Sequence, residues 1–77
     1  DNILANYVHI SPNATLCGEV HVNNCSWVGA TSVIKQQISI GENVIIGAGT
    51  VVIDDIEGNC TVVGNPGRII KKGDKNV

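Results

Sequence analysis

The chain has 77 residues, is 43% hydrophobic and 16% charged, and carries a formal net charge of −2, enough for one domain or part of one. That charge leaves no basic footprint for nucleic acid, and one Tyr and one Trp offer little for base stacking. No apolar stretch approaches the ~18 residues of a membrane span and no signal peptide is visible, so neither a membrane nor a secreted protein is expected.

From Leu4 to Glu57 the sequence repeats every six residues. The first position of each hexad reads Leu4, Ile10, Leu16, Val22, Val28, Ile34, Ile40, Ile46, Val52, all branched aliphatics. The fifth reads Val8, Ala14, Val20, Ser26, Ser32, Ile38, Val44, Thr50, Ile56, small or β-branched throughout. Neither a helical period of 3.6 nor strand alternation of 2 gives that pattern. It predicts an all-β fold, a single-stranded parallel β-helix in which each hexad supplies one short strand and one corner. Three hexads close a triangular coil, giving three coils at 4–21, 22–39 and 40–57. Residues 1–57 then form the coils, and 58–77 a C-terminal strand, turn and basic tail. Leu4 should stack on Val22 and Val22 on Ile40, at the ordinary inter-strand spacing of ~4.8 Å, with all nine aliphatics buried. Open ends with unpaired strand edges predict that the chain needs partners, most simply copies of itself. A start in mid-pattern without Met is expected of a piece of something longer.

Along the chain, "VHISPN" places His9 at an outward sixth position, followed by the turn chemistry of Ser11-Pro12-Asn13. By itself His9 reads as a solvated imidazole. His21 holds the same hexad position twelve residues on, hence another face, which argues against a shared metal; no metal site is expected. In "LCGEV", Gly18 is third in its hexad. It is either a place where a ligand can approach an N–H that no Cβ covers, or a corner needing positive φ. Trp27, at another outward sixth position, reads as a subunit contact first and a ligand-stacking surface second.

Lys35-Gln36-Gln37 is a solvated polar corner. "IGENVIIGAGTVV" puts Gly41, Gly47 and Gly49 at corners, without the Lys-Ser/Thr of a phosphate loop. Asp54-Asp55 and Glu57-Gly58-Asn59 break the hexads and are expected to end the helix. Val62-Val63 is a short strand, Gly64-Asn65-Pro66-Gly67 a strong turn, and Arg68, Lys71 and Lys72 a solvated basic tail. Asp74 to Val77 reads as a frayed end. Cys17, Cys25 and Cys60 lack metal-like spacing and read as free thiols of a reducing, cytoplasmic protein.

"IGENVI" and "IGAGTV" resemble the left-handed β-helix of hexapeptide-repeat acyltransferases, and the resemblance covers nearly the whole chain. The handedness comes from that resemblance, since parallel crossovers are otherwise right-handed. "VVGNPGR" is similar to the terminal "VGNPA[RK]" motif of acetyl-CoA-dependent acetyltransferases; Gly67 stands where Ala is commoner and is expected to loosen the loop. Together with "VHISPNATLCGEVHV" the resemblance narrows to the branch of sialic acid O-acetyltransferases and bacillosamine-pathway sugar N-acetyltransferases.

That branch implies a homotrimer with acetyl-CoA in the groove between subunits. It implies a sugar or nucleotide-sugar acceptor held by an N-terminal Rossmann-like domain that these residues do not encode. Its His base belongs to a His-Asp/Glu pair about nine residues before the His that His9 matches. The count falls one residue before Asp1, so Asp1 would be the acidic partner and the chain alone a poor catalyst. His9 matches the second His, near the thioester, and Gly18 the residue whose N–H polarises the acetyl carbonyl. Gly18 and Gln36 would line one wall of the pantetheine path and Ala30 and Ala48 the facing wall. Gly64, Asn65 and Pro66 would meet the adenine end, with Arg68 or Lys71 on phosphate. A structural alternative is a β-helix that only trimerises and binds no cofactor. An ice-binding β-helix is discounted because no Thr-x-Thr ladder occurs.

Overall fold

The computed structural model describes residues 2–73. Asp1, expected as the acidic partner of the catalytic His base, and the expected frayed end 74–77 lie outside the described residues.

Nine two-residue strands follow one another at six-residue intervals: β1 (Ile3–Leu4), β2 (His9–Ile10), β3 (Thr15–Leu16), β4 (His21–Val22), β5 (Trp27–Val28), β6 (Val33–Ile34), β7 (Ser39–Ile40), β8 (Ile45–Ile46) and β9 (Val51–Val52). Two longer strands close the chain, β10 (Cys60–Val63) and β11 (Arg68–Lys72). They form a left-handed parallel β-helix with three walls. The first wall is β1-β4-β7, the second β2-β5-β8-β10-β11 and the third β3-β6-β9. Leu4 pairs with Val22 and Val22 with Ile40, and the other walls repeat the same 18-residue step. This is the register that the hexad pattern predicts.

The corners turn at the fourth position of each hexad. Tyr7, Asn13, Glu19, Cys25, Thr31, Gln37 and Asn43 all have φ between 55 and 62°, and Gly49 has φ 71°. Side chains in this left-handed region cost roughly 1–2 kcal/mol each. The cost is offset because the fourth-position N–H donates to the third-position carbonyl one coil below: Cys25 to Asn6 at 3.0 Å, Gln37 to Gly18 at 2.9 Å and Gly49 to Ala30 at 2.8 Å. Of the three expected corner glycines only Gly49 occupies the left-handed region. Gly41 serves close packing instead, since a Cβ there would collide with the backbone of Glu57 and Gly58 in the next coil.

Burial rises along the helix. Val22, Val28, Ile34, Ile40, Ile46 and Val52 are at most 1% exposed, whereas Leu4 is 48% exposed and Ile10 and Leu16 are half-buried. The expected nine-residue core is therefore six fully buried rungs above a first coil that has no rung beneath it. At the fifth position Val20, Ser26, Ser32, Val44 and Thr50 are also sealed. Ser26 donates to Gly41 O at 2.7 Å and accepts from Val44 N–H at 3.1 Å, which keeps this buried hydroxyl satisfied.

The stack does not stop where the hexads break. Ile56 pairs with Ile40 and Val62 with Ile46, each 16 residues on rather than 18, so one corner is two residues short. Ile56 is thus a rung, 8% exposed, and not the fifth-position filler that counting from Val52 predicts. Asn59, at φ 62°, is the left-handed residue of this new hexad. The second wall consequently continues past residue 57. The basic segment is also a strand and not a tail: β11 pairs antiparallel with β10 across a bulge at Thr61/Val62. Lys72 forms an ion pair with Glu57, which raises its pKa above the usual lysine value through hydrogen bonding and Coulomb attraction. Among the described residues there is no helix, hence none long and apolar enough to cross a membrane.

Candidate functional site

Gly18 sits at the corner between the third and first walls. Its φ lies outside the left-handed region; the turn is carried by Glu19, φ 60°. A conformational need for glycine is therefore removed at this position. A Cβ built on Gly18 would meet nothing within 4 Å, so one side of the backbone faces open space. Its carbonyl accepts from Gln37 N–H at 2.9 Å, while its own N–H donates to no backbone or side-chain group among the described residues. An N–H without a partner beside open space can donate to an incoming oxygen, the role of an oxyanion donor.

Two shallow clefts flank this corner. One of about 280 Å³ is lined by Glu19, His21, Gln37, Ile38 and Ser39. The other, about 370 Å³, lies one coil higher between Lys35, Gln36, Gln37, Ile38, Ile53, Asp54 and Asp55. The second owes its space to the shortened corner, whose Asp55 Oδ1 accepts from Ser39 N–H at 2.8 Å. Gln36 therefore lines a cleft on the same corner as Gly18, as the sequence places it.

His9 stands on the second wall, exposed and directly below Trp27. Their rings stack with centroids 4.0 Å apart and planes inclined by 26°. Sequence reasoning treated the two separately. The signal that joins them is their shared sixth position and their separation of one coil. His21 lies on the first wall, away from His9, and among the described residues no group of three or more His, Cys, Asp or Glu is gathered for a metal.

Ala30 and Ala48 occupy successive coils of the corner between the second and third walls, Ala30 half-buried and Ala48 exposed. Above them Val63, Gly64, Asn65, Pro66, Gly67 and Arg68 line a cleft of about 470 Å³. The loop is closed and not loosened at Gly67, whose N–H donates to Val51 O at 2.6 Å. A Cβ at Gly67 would lie 2.9 Å from that same oxygen, so alanine does not fit here without movement. Arg68 belongs to this cleft, while Lys71 lines a separate one of about 230 Å³ with Asn43, Ile45, Asn59, Cys60, Thr61 and Gly73.

Within one chain the candidate residues thus form two groups. Gly18 and Gln36 share one corner. Ala30, Ala48 and the 64–68 loop share another, beside the wall that carries His9. The third wall, with Thr15, Val33 and Val51 facing outward, separates the corners.

No family model matches the chain. A protein of Staphylococcus aureus named as an acetyltransferase is 32% identical over 72 residues, which is 94% of this chain and 36% of that protein. The acetyltransferase domain of PglB from Neisseria gonorrhoeae, solved alone and in complex with acetyl coenzyme A, superposes with a TM-score of 0.90 at 38% identity, covering 91% of this chain and 34% of that one. PerB from Caulobacter crescentus, in complex with CoA and GDP-perosamine, gives a TM-score of 0.91 at 30% identity over 92% of this chain and 34% of that one. The chain therefore spans about a third of the length of these proteins, and what it shares with them is the left-handed β-helix.

Proposed function

We propose that the chain is the β-helical part of a hexapeptide-repeat acyltransferase that moves an acetyl group from acetyl-CoA to a hydroxyl or amine of a sugar or nucleotide sugar. The observation that carries this reading is the likeness, at 38% identity over 91% of the chain, to an acetyltransferase domain solved with acetyl coenzyme A. The branch of sialic acid O-acetyltransferases and bacillosamine-pathway N-acetyltransferases fits best, on "VHISPNATLCGEVHV" and "VVGNPGR". A cytoplasmic location accords with a CoA-dependent reaction and with three free thiols.

The residues present fit the cofactor. Acetyl-CoA supplies an activated acyl carbon. Gly18 N–H would be the donor to the acyl oxygen, and the absent Cβ would let that oxygen come close. His9 would stand near the thioester end, where its imidazole can hydrogen-bond to the acyl-bearing arm. The 64–68 cleft takes the adenine end, with Arg68 available to phosphate. Asp1 would serve as the acidic partner of a His general base that takes the acceptor's proton. The two corners lie on opposite sides of one wall, so a groove using both needs two subunits, Gly18 and Gln36 from one and Ala30 and Ala48 from its neighbour. A homotrimer supplies such grooves.

A β-helix that only assembles is the second reading, favoured by the exposure of Ile3, Leu4, Trp27 and Ile45. Calorimetric titration of the chain with acetyl-CoA, with light scattering for its mass, separates the two. Saturable binding of one acetyl-CoA per chain by a trimer is expected. A trimer that binds nothing refutes the cofactor site.

A further inference from the structure

Resting on the acetyl-CoA reading, we propose that Trp27 is a positioning residue for His9, its indole holding the imidazole in one plane so that the ring meets the cofactor in one orientation. His9 lies on the first coil, where no rung supports it from below, and its side chain is exposed. A histidine in that setting samples several χ1 and χ2 wells, and each must be given up when a ligand binds. Among the described residues the aromatic group stacked against it is Trp27, paired in register on β5, with centroids 4.0 Å apart and an interplanar angle of 26°. That is a parallel stack, which covers a face of the imidazole and leaves the edge, with its two nitrogens, free.

Trp27 is itself part of a column in register. Ile45 pairs with Trp27 from the coil above, so the column runs His9, Trp27, Ile45 and then Thr61. Trp27 is 50% exposed, which leaves its outer edge available to a neighbouring subunit while its face serves His9. An aliphatic side chain at this position would cover similar area without defining a plane. Aromatic pairs of this geometry favour the stacked state roughly two- to tenfold beyond simple burial.

The test uses the full chain titrated with acetyl-CoA, comparing wild type, Trp27→Leu and Trp27→Phe, each with His9 intact and with His9→Ala. Trp27→Leu is expected to weaken binding roughly two- to tenfold, Trp27→Phe to restore most of it, and neither to matter once His9 is gone. Proton NMR gives an independent reading: the His9 ring protons lie upfield under the indole ring current and move to ordinary positions in Trp27→Leu. Equal loss of affinity in the His9→Ala background overturns the inference, because Trp27 then acts directly or through the fold. So does unchanged affinity in Trp27→Leu. Absence of the upfield shift in wild type overturns it without any variant. A wild-type chain that binds no acetyl-CoA refutes the cofactor reading itself, a result distinct from binding that proves insensitive to Trp27.

Discussion

Replacing Gly18 by alanine tests the proposed close approach of the cofactor, because stability and binding should then change with opposite signs. The added Cβ meets no atom within 4 Å, and the backbone there lies outside the left-handed region. The native conformation is thus open to alanine, and the unfolded chain loses freedom. Gly18→Ala should stabilise the fold by about 0.4–1 kcal/mol. At about 4–8 °C per kcal/mol for a domain of this size, the unfolding midpoint rises by roughly 2–8 °C. The same methyl occupies the space through which an acyl oxygen would reach the Gly18 N–H. Loss of one such hydrogen bond, about 0.5–1.5 kcal/mol, weakens acetyl-CoA binding up to roughly tenfold. Gly41→Ala is the control, since its Cβ would run into the Glu57–Gly58 backbone. Overpacking against main chain costs about 1–3 kcal/mol, and that variant should melt earlier. Thermal unfolding and calorimetric titration of the three proteins decide the matter. A Gly18→Ala chain that melts lower would refute the open corner, and one that binds acetyl-CoA as wild type does would refute the close approach.

Core truncations should expose the gradient of burial. Ile46→Ala, in the middle of a column between Val28 and Val62, should cost about 2–5 kcal/mol in denaturant unfolding, and Leu4→Ala, half exposed, about 1 kcal/mol; equal costs would contradict the gradient. Thr31 is a β-branched residue at φ 57°, so Thr31→Asn should gain about 1 kcal/mol at that corner, measured in the same assay. The Lys72 pKa lies above its unfolded value because of Glu57, so the pair stabilises the chain fully below about pH 10.5 and less as pH rises through the raised value. Wild type should therefore melt above Lys72→Met at neutral pH, with the difference closing at the alkaline end and in high salt. A pH-independent gap would assign the effect of Lys72 to its packing.

The repeat made most of the fold legible. A branched aliphatic every six residues leaves few other ways to bury them all on one axis, so the strand positions and the 18-residue register followed from counting. The placement of the candidate residues on the corners was legible in part. Gly18 and Gln36 share a corner, as do Ala30 and Ala48, because residues 18 apart return to the same corner, whereas the cleft of Gly64, Asn65, Pro66 and Arg68 lies beyond the broken hexads and is set by the β10–β11 turn.

The sequence by itself determined the rung residues from Leu4 to Val52, the three walls and the outward placement of His9 and Trp27, since these depend only on a local period. Tertiary structure alone decided the rest. It decided that Gly18 has an ordinary φ while Glu19 makes the turn, because the left-handed conformation falls on the fourth-position residue, whose N–H, from Cys25 onward, bonds to the neighbouring coil. It also decided that a two-residue deletion leaves the stack running through Ile56 and Val62, because the core above Ile40 and Ile46 must be covered whatever the corner's length. The His9–Trp27 stack arises in the same way, from contacts 18 residues apart that only the closing of a coil brings together.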